Sequence, residues 1–340
     1  MEKRYINQNS LKSWLSQIKD DGSHIYAPVP KGDKTDFKRI KGVEEISLDH
    51  IQTTQSAKSI AFPRTEKLFS FKREKGDISL QDYDTSVIPE IVVFGIHPCD
   101  AAGFKPLSAI FNWGTDDLPF NERRKRTTLI SVSCSQCDDY CFCTSVNGNP
   151  GNTEGSDILL TKINDGYLVE IITDKGKALV EKYNDLFGNA PEVNKEDFLA
   201  NVPIRFTLDE LQGRISNMFE SDVWKKQSER CLGCGACAFV CPTCACFDIQ
   251  EDSKGNTGNR LRCWDACGFS LFTVHTSGHN PREIQSQRWR QRLLHKFSYM
   301  PERLSVIGCT GCGRCSRACP VDMNICEHLE SISKLEKETI

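Results

Sequence analysis

Several things are scarce in this chain. No apolar run approaches the roughly 20 residues of a membrane span. The opening Met1-Glu2-Lys3-Arg4-Tyr5-Ile6-Asn7-Gln8 has no apolar core of a secretory signal. Charge of one sign is not in excess: 43 Lys plus Arg against 46 Asp plus Glu leave a net charge of −3, which argues against a surface built to grip nucleic acid. No G-x-G-x-x-G joins a strand to a helix, and G-x-x-x-x-G-K-[ST] is absent, so no nicotinamide, flavin or nucleotide site is expected in this chain. G-x-S-x-G and H-E-x-x-H are missing too, and no autonomous bond-making centre is expected. The seven histidines are scattered; only His97, two residues before Cys99, is a candidate for a hydrogen bond to a metal centre. The expected location is the cytoplasm of an anaerobic cell, or the periphery of a membrane complex.

Cysteine, by contrast, is abundant: 18 in 340 residues. In a reducing compartment such a number reads as metal ligands rather than disulfides. The cysteines are also clustered. Cys231-Leu-Gly-Cys234-Gly-Ala-Cys237-Ala-Phe-Val-Cys241-Pro242 repeats as Cys309-Thr-Gly-Cys312-Gly-Arg-Cys315-Ser-Arg-Ala-Cys319-Pro320. This C-x2-C-x2-C-x3-C-P run is the bacterial ferredoxin spacing, in which three cysteines wrap one 4Fe–4S cubane and the fourth ligates the other. It assigns Cys231, Cys234, Cys237 and Cys319 to one cluster, and Cys309, Cys312, Cys315 and Cys241 to a second. A zinc pair fits poorly, because zinc takes its ligands in two separated pairs, often with His. The long insert between the motifs holds Cys244, Cys246, Cys263 and Cys267, which are either a further metal site or buried thiols. It also holds the basic residues Arg282, Arg288, Arg290, Arg292 and Lys296. These read as a docking face, as charge that raises cluster potentials, or simply as a solvated helix face.

Upstream, periodicity predicts an α/β (α+β) domain over residues 1–222, followed by a ferredoxin-like dicluster domain over 223–340. Leu11, Trp14, Leu15 and Ile18 share a helix face, and His24 to Pro30 reads as extended. Ile91 to Ile96 and Thr127 to Val132 read as parallel strands joined through a helix carrying Phe104, Leu107, Ile110 and Phe111. A hairpin with Asp165-Gly166 in its turn is expected over 157–173, a helix over 175–187 stopped by Gly188, a surface loop from Gly188 to Asn194, and one long amphipathic helix over 208–226. Cys99 and Cys134 directly follow the two parallel strands, where open α/β sheets form their sites. With Cys137, Cys141 and Cys143 they make five thiols where a third 4Fe–4S cluster needs four; zinc or no metal are the alternatives.

The combination of Ile25-Tyr26-Ala27-Pro28-Val29, Glu66-Lys67-Leu68-Phe69-Ser70-Phe71, Phe94-Gly95-Ile96-His97-Pro98-Cys99-Asp100 and Tyr140-Cys141-Phe142-Cys143 resembles the iron–sulfur β subunit of cytoplasmic NiFe sulfhydrogenases. It resembles the iron–sulfur subunit of anaerobic sulfite reductase equally. Cys241-Pro-Thr-Cys244-Ala-Cys246, Trp264-Asp265-Ala266-Cys267 and Gly278-His279-Asn280 fit the same family, so the resemblance covers nearly the whole chain. It implies that Cys99, Cys134, Cys141 and Cys143 form the third ligand set and that Cys137 matters less. Cys244, Cys246 and Cys267 fall on family motifs as further metal candidates; Cys263 and Cys326 do not.

The resemblance further implies an electron-transfer subunit. Electrons would enter from an FAD/NAD(P)-binding reductase subunit and leave to a NiFe hydrogenase, a sirohaem sulfite reductase or a heterodisulfide-reductase-like module. A free-standing ferredoxin-like carrier is the competing class, for which an N-terminal domain of about 220 residues is too much chain. A redox-sensing regulator would need a nucleic-acid-binding motif.

Overall fold

The computed structural model describes residues 1–335; residues 336–340 of the expected second unit lie outside them. An eight-stranded sheet is built from β1 (Glu2–Asn7), β2 (His24–Lys31), β3 (Lys34–Arg39), β6 (Ile91–Ile96), β7 (Thr127–Val132), β8 (Ile158–Ile163), β9 (Gly166–Ile171) and β10 (Gly188–Asn189). A second sheet holds β4 (Thr65–Glu74), β5 (Asp77–Asp82), β11 (Phe247–Lys254) and β12 (Thr257–Trp264). The orders are β10-β1-β9-β8-β7-β6-β2-β3 and β11-β12-β4-β5. In the large sheet β2, β6, β7 and β8 run parallel, with antiparallel strands at both edges.

The parallel strands are buried along nearly their whole length, as strands covered on both faces must be. Val92, Phe94, Ile130 and Val132 face a core closed by Leu11, Trp14, Leu15 and Ile18 of the helix Gln8–Asp20. Ile91, Val93 and Leu129 face the opposite core, with Phe104, Leu107 and Phe111 of the helix Phe104–Phe111. Ile96 joins this second face although strict alternation would send it to the first. The register slips between Phe94 and Ile96, because Gly95 bulges at φ +73°. A Cβ on Gly95 would stand 2.7 Å from Leu48 and 2.9 Å from Pro28. The bulge therefore re-aims the chain just before His97-Pro98-Cys99.

Four expectations differ from what is seen. The hairpin turn is Asn164-Asp165, and Gly166 opens β9 opposite Ile163; a Cβ there would lie 2.6 Å from the Ile6 carbonyl of β1. The helix after β9 spans only Asp174–Glu181. Gly188 and Asn189 pair with Tyr5 and Arg4 rather than forming a loop, which satisfies the free edge of β1. The long helix over 208–226 is two helices, Leu208–Ile215 and Val223–Ser228. Between them Ser221 accepts the Val223 amide, a local bond that competes with helix continuation.

The small sheet joins segments from both sides of residue 222, since β12 lies between β4 and β11. A buried ion network anchors it. Glu66 of β4 accepts from Arg262 of β12 and from Arg123, and Arg262 also meets Asp117. A third core gathers Trp224, Trp289, Leu293, Phe297, Leu329 and Ile332 under the cysteine motifs, and takes in Phe142 and Val146 from the N-terminal half.

Candidate iron–sulfur centres

The two repeated motifs fold alike. Gly233 and Gly311 sit at φ +67° and +66°, Gly235 and Gly313 at +73° and +68°, and each motif runs into a single-turn helix, Ala236–Phe239 or Arg314–Arg317. Left-handed glycines turn the loop so that backbone comes close to the thiols.

Cys241, Cys309, Cys312 and Cys315 line one small buried cavity, closed by Phe142, Pro242 and Ile325. Burial pushes the Cys309 thiol up to about 11 and that of Cys312 to about 12. Cys241 moves the other way, held well below the usual thiol range by a hydrogen bond from Cys244 and by Lys296, Arg292 and Lys58. Four soft donors around one enclosure, Cys241 and Cys312 buried and Cys309 and Cys315 partly so, suit a 4Fe–4S cluster.

In the other ferredoxin-type set, Cys231 and Cys319 pack against the same helical core as Cys309 and Cys315. Cys231 Sγ accepts from Gln285 Nε2 at 3.1 Å, and Cys319 Sγ from the Met323 amide at 3.3 Å. Cys237 is pushed up to about 12 by burial, with Cys267, Cys315 and Cys231 nearby. Cys234 alone among the eight is exposed.

The upstream set meets this region directly. Cys99 and Cys134 leave the adjacent parallel strands β6 and β7, as the spacing predicted. Burial raises both thiols; Cys99 also feels Cys134, and Cys134 feels Cys143 and Cys141. The Tyr140–Cys143 loop lies on the second motif. Phe142 N donates to the Gly311 carbonyl at 2.9 Å, a Cβ on Gly311 would be 2.5 Å from Cys143 Cα, and one on Gly313 would be 2.4 Å from the Tyr140 carbonyl. Cys137 lies in the field of Cys141, and its thiol donates to the Asn201 carbonyl at 3.4 Å.

Sequence reasoning missed the residues that surround these thiols. Arg314 is fully buried, ion-paired to Asp100, and donates to the Thr53 carbonyl at 2.8 Å and to Gln52. Gln52 in turn donates to Cys99 Sγ at 3.4 Å. Arg317 pairs with Asp138 and donates to Cys141 Sγ at 3.2 Å. Lys58 is buried, donating to the carbonyls of Ala238 and Cys244 with its ammonium 4.2 Å from the Trp264 ring centre. The two arginines stand at two of the five positions where the repeats differ; Lys58 had no local signal. The basic stretch is not simply a solvated face. Gln285 and Arg292 of the helix Gln285–Leu294 and Lys296 of the π-helical turn His295–Tyr299 that continues it donate to Cys231, Cys244 and Cys241 in turn. Arg288 and Arg290 remain half exposed. His97 stacks on His50 at 5.1 Å, burial pulls it down to about 3, and it makes no hydrogen bond to a thiol among the described residues. Cys326 is a buried thiol of the helical core, and Cys263 lies within β12.

The fold and these thiols define an iron–sulfur electron-transfer protein of the dicluster class, and residues 230–323 match the 4Fe–4S dicluster domain. Across the whole length the chain is similar to sulfhydrogenase 2 subunit beta of Pyrococcus furiosus. The two are 30% identical over 347 aligned positions, which cover 99% of this chain and 100% of that protein. The chain belongs to the family of sulfhydrogenase β subunits. No solved structure matches it. No helix among the described residues is long and apolar enough to cross a membrane.

Proposed function

We propose that this chain relays electrons between an FAD/NAD(P)-binding reductase subunit and a catalytic subunit of NiFe sulfhydrogenase type, through three 4Fe–4S clusters. The clusters are held by Cys231, Cys234, Cys237 and Cys319; by Cys309, Cys312, Cys315 and Cys241; and by Cys99, Cys134, Cys141 and Cys143. The observation that supports this reading is the seating of the Tyr140–Cys143 loop on Gly311 and Gly313, backbone against backbone, beside the second motif. Arg314 and Arg317 leave the second motif and reach the surroundings of Cys99 and Cys141, so the two sets share hydrogen bonds. At the far end, Cys234 is exposed, and Leu232, Leu271 and Ile284 of the adjoining segments are 66%, 77% and 57% exposed. An exposed apolar rim beside an outermost cluster suits partner docking.

The units 1–222 and 223–340 are read as one relay body, because β4 and β5 share a sheet with β11 and β12. The protein's part is to fix cluster spacing, exclude water, and set potentials by hydrogen bonds and local charge.

The test is strictly anaerobic affinity purification from the native organism, with mass spectrometry of the co-purifying chains and an iron count. A NiFe large subunit with a flavin subunit is expected. A sirohaem subunit would instead make the chain the iron–sulfur subunit of an anaerobic sulfite reductase, and a heterodisulfide-reductase-like module would move it to that complex. A fully clustered chain emerging alone would overturn the complex and leave a free carrier. About 8 iron per chain would remove the third cluster.

A further inference from the structure

Cys244, Cys246 and Cys267 lie outside those three ligand sets, yet they converge. All three line one cavity, together with Arg282, Arg292 and His295. The convergence is built by the small sheet. Phe247 pairs with Trp264 at the open end of the β11–β12 hairpin, and Asp265 N donates to the Cys246 carbonyl at 3.0 Å, so the residues flanking the hairpin meet. The Cys246 and Cys267 thiols are within hydrogen-bonding reach of each other, and Cys244 is in the same relation to Cys241.

The charges around them call for an anion. Lys58, Arg292 and Lys296 are 3%, 4% and 3% exposed. Their polar contacts among the described residues are to thiols, carbonyls and Thr243, and none is to a carboxylate. Buried cations need an anion beside them; Cys241 supplies one to Lys296 at 3.4 Å, and Cys244 is the thiol that faces Arg292. The helical segment that gives Cys231 and Cys241 a donor each gives Cys244 a guanidinium, with Arg292 Nη1 at 3.7 Å from its Sγ. Cys244 is thus treated as a cluster ligand is treated.

We propose that Cys244, Cys246 and Cys267 hold a fourth iron–sulfur cluster through three thiolates, with a non-cysteine donor completing its remaining corner. His295 is the nitrogen donor lining the same cavity. The site rests on the relay reading above, as a further station beside the second cluster, whose ligand Cys241 is separated from Cys244 only by Pro242 and Thr243.

The experiment compares the wild-type complex with Cys246→Ser/Cys267→Ser, both purified anaerobically. It reads iron, acid-labile sulfide and zinc per chain, and the low-temperature EPR of the reduced protein. Expected is a loss of about 4 iron per chain from the variant relative to the wild type, with the loss of one EPR component. His295→Ala leaves every thiol in place, so it should keep its iron and shift only that component. A variant that retains all the wild-type iron, or that loses one zinc in place of four irons, overturns the proposal. Cys141→Ser/Cys143→Ser run in parallel separates the two readings. If that pair loses no iron while Cys246→Ser/Cys267→Ser does, the fourth site stands and the third cluster falls; the converse result sinks the fourth site alone.

Discussion

The two cysteine motifs have the same spacing, the same left-handed glycines and the same single-turn helix, yet they live in different surroundings. Around Cys231–Pro242 two of the five variable positions are Ala236 and Phe239, Cys234 is exposed, and the glycines face the side chains of Gln285, Phe269 and Ala266 and the Gly268 carbonyl. Around Cys309–Pro320 the equivalent positions are Arg314 and Arg317. Cys312 is buried, and the glycines face the backbone of the Tyr140–Cys143 loop. The difference teaches that ligand spacing specifies a cluster, while the residues between the ligands specify what it is wired to. The first motif reads as a terminus and the second as a junction.

The sharpest way to break that contrast is at Arg314. Arg314→Met leaves Asp100 buried without its cation and should cost about 3–5 kcal/mol in denaturant unfolding of the anaerobic holoprotein. The same experiment on Ala236→Ser, the matching position of the first motif, should move stability by less than about 1 kcal/mol. Equal losses would mean that the two motifs are wired alike.

Next come the glycines. Gly313→Ala meets both a left-handed backbone and the Tyr140 carbonyl, so a loss of about 2–4 kcal/mol is expected. Gly233→Ala meets Gln285 Oε1 at 3.1 Å and the Gly268 carbonyl at 3.2 Å, and should lose about 1–2 kcal/mol. Iron counts on both variants add a second contrast: Gly313→Ala should also deplete the Cys99 set, and Gly233→Ala should not.

Arg317→Leu is milder. Its ion pair with Asp138 is partly exposed, so a cost near 1 kcal/mol is expected. Its hydrogen bond to Cys141 predicts a further change in EPR g-values of one cluster, which Phe239→Leu should not share. The smallest effect is on acid stability. Burial, aided by Arg230, pulls His328 down to about 4, beside Trp289 of the core under the cysteine motifs. Its folded pKa lies below its unfolded one, so the unfolded chain binds more protons between about pH 6.5 and 4. Stability contributed by neutral His328 is therefore lost as pH falls through that window, and His328→Gln should flatten the decline in melting temperature.

Much of this was legible before any coordinates. The ferredoxin-type cysteines announced themselves by spacing and repetition, and β6, β7 and the helix face of Leu11, Trp14, Leu15 and Ile18 by periodicity. Cys99 and Cys134 were placed as neighbours by the rule that parallel strands share a carboxyl end. The long helix over 208–226 was misread because apolar periodicity continues across a segment in which Ser221 caps locally. Gly166 was misread because its reason is the close passage of β1, which lies far away in the chain. The partnership of β4 and β5 with β11 and β12 had no local signature, since each strand looks the same whichever hairpin it joins.

The sequence by itself determined the dicluster domain, because the repeated cysteine spacing is a property of short loops and needs no distant partner. Only the tertiary structure decided that Arg314 and Asp100 meet, that Lys58, Arg292 and Lys296 are buried without carboxylates, and that Cys244, Cys246 and Cys267 face one cavity. Those contacts join segments that lie far apart in the chain, and the free energy of a buried charge depends on what folding brings within a few ångströms of it.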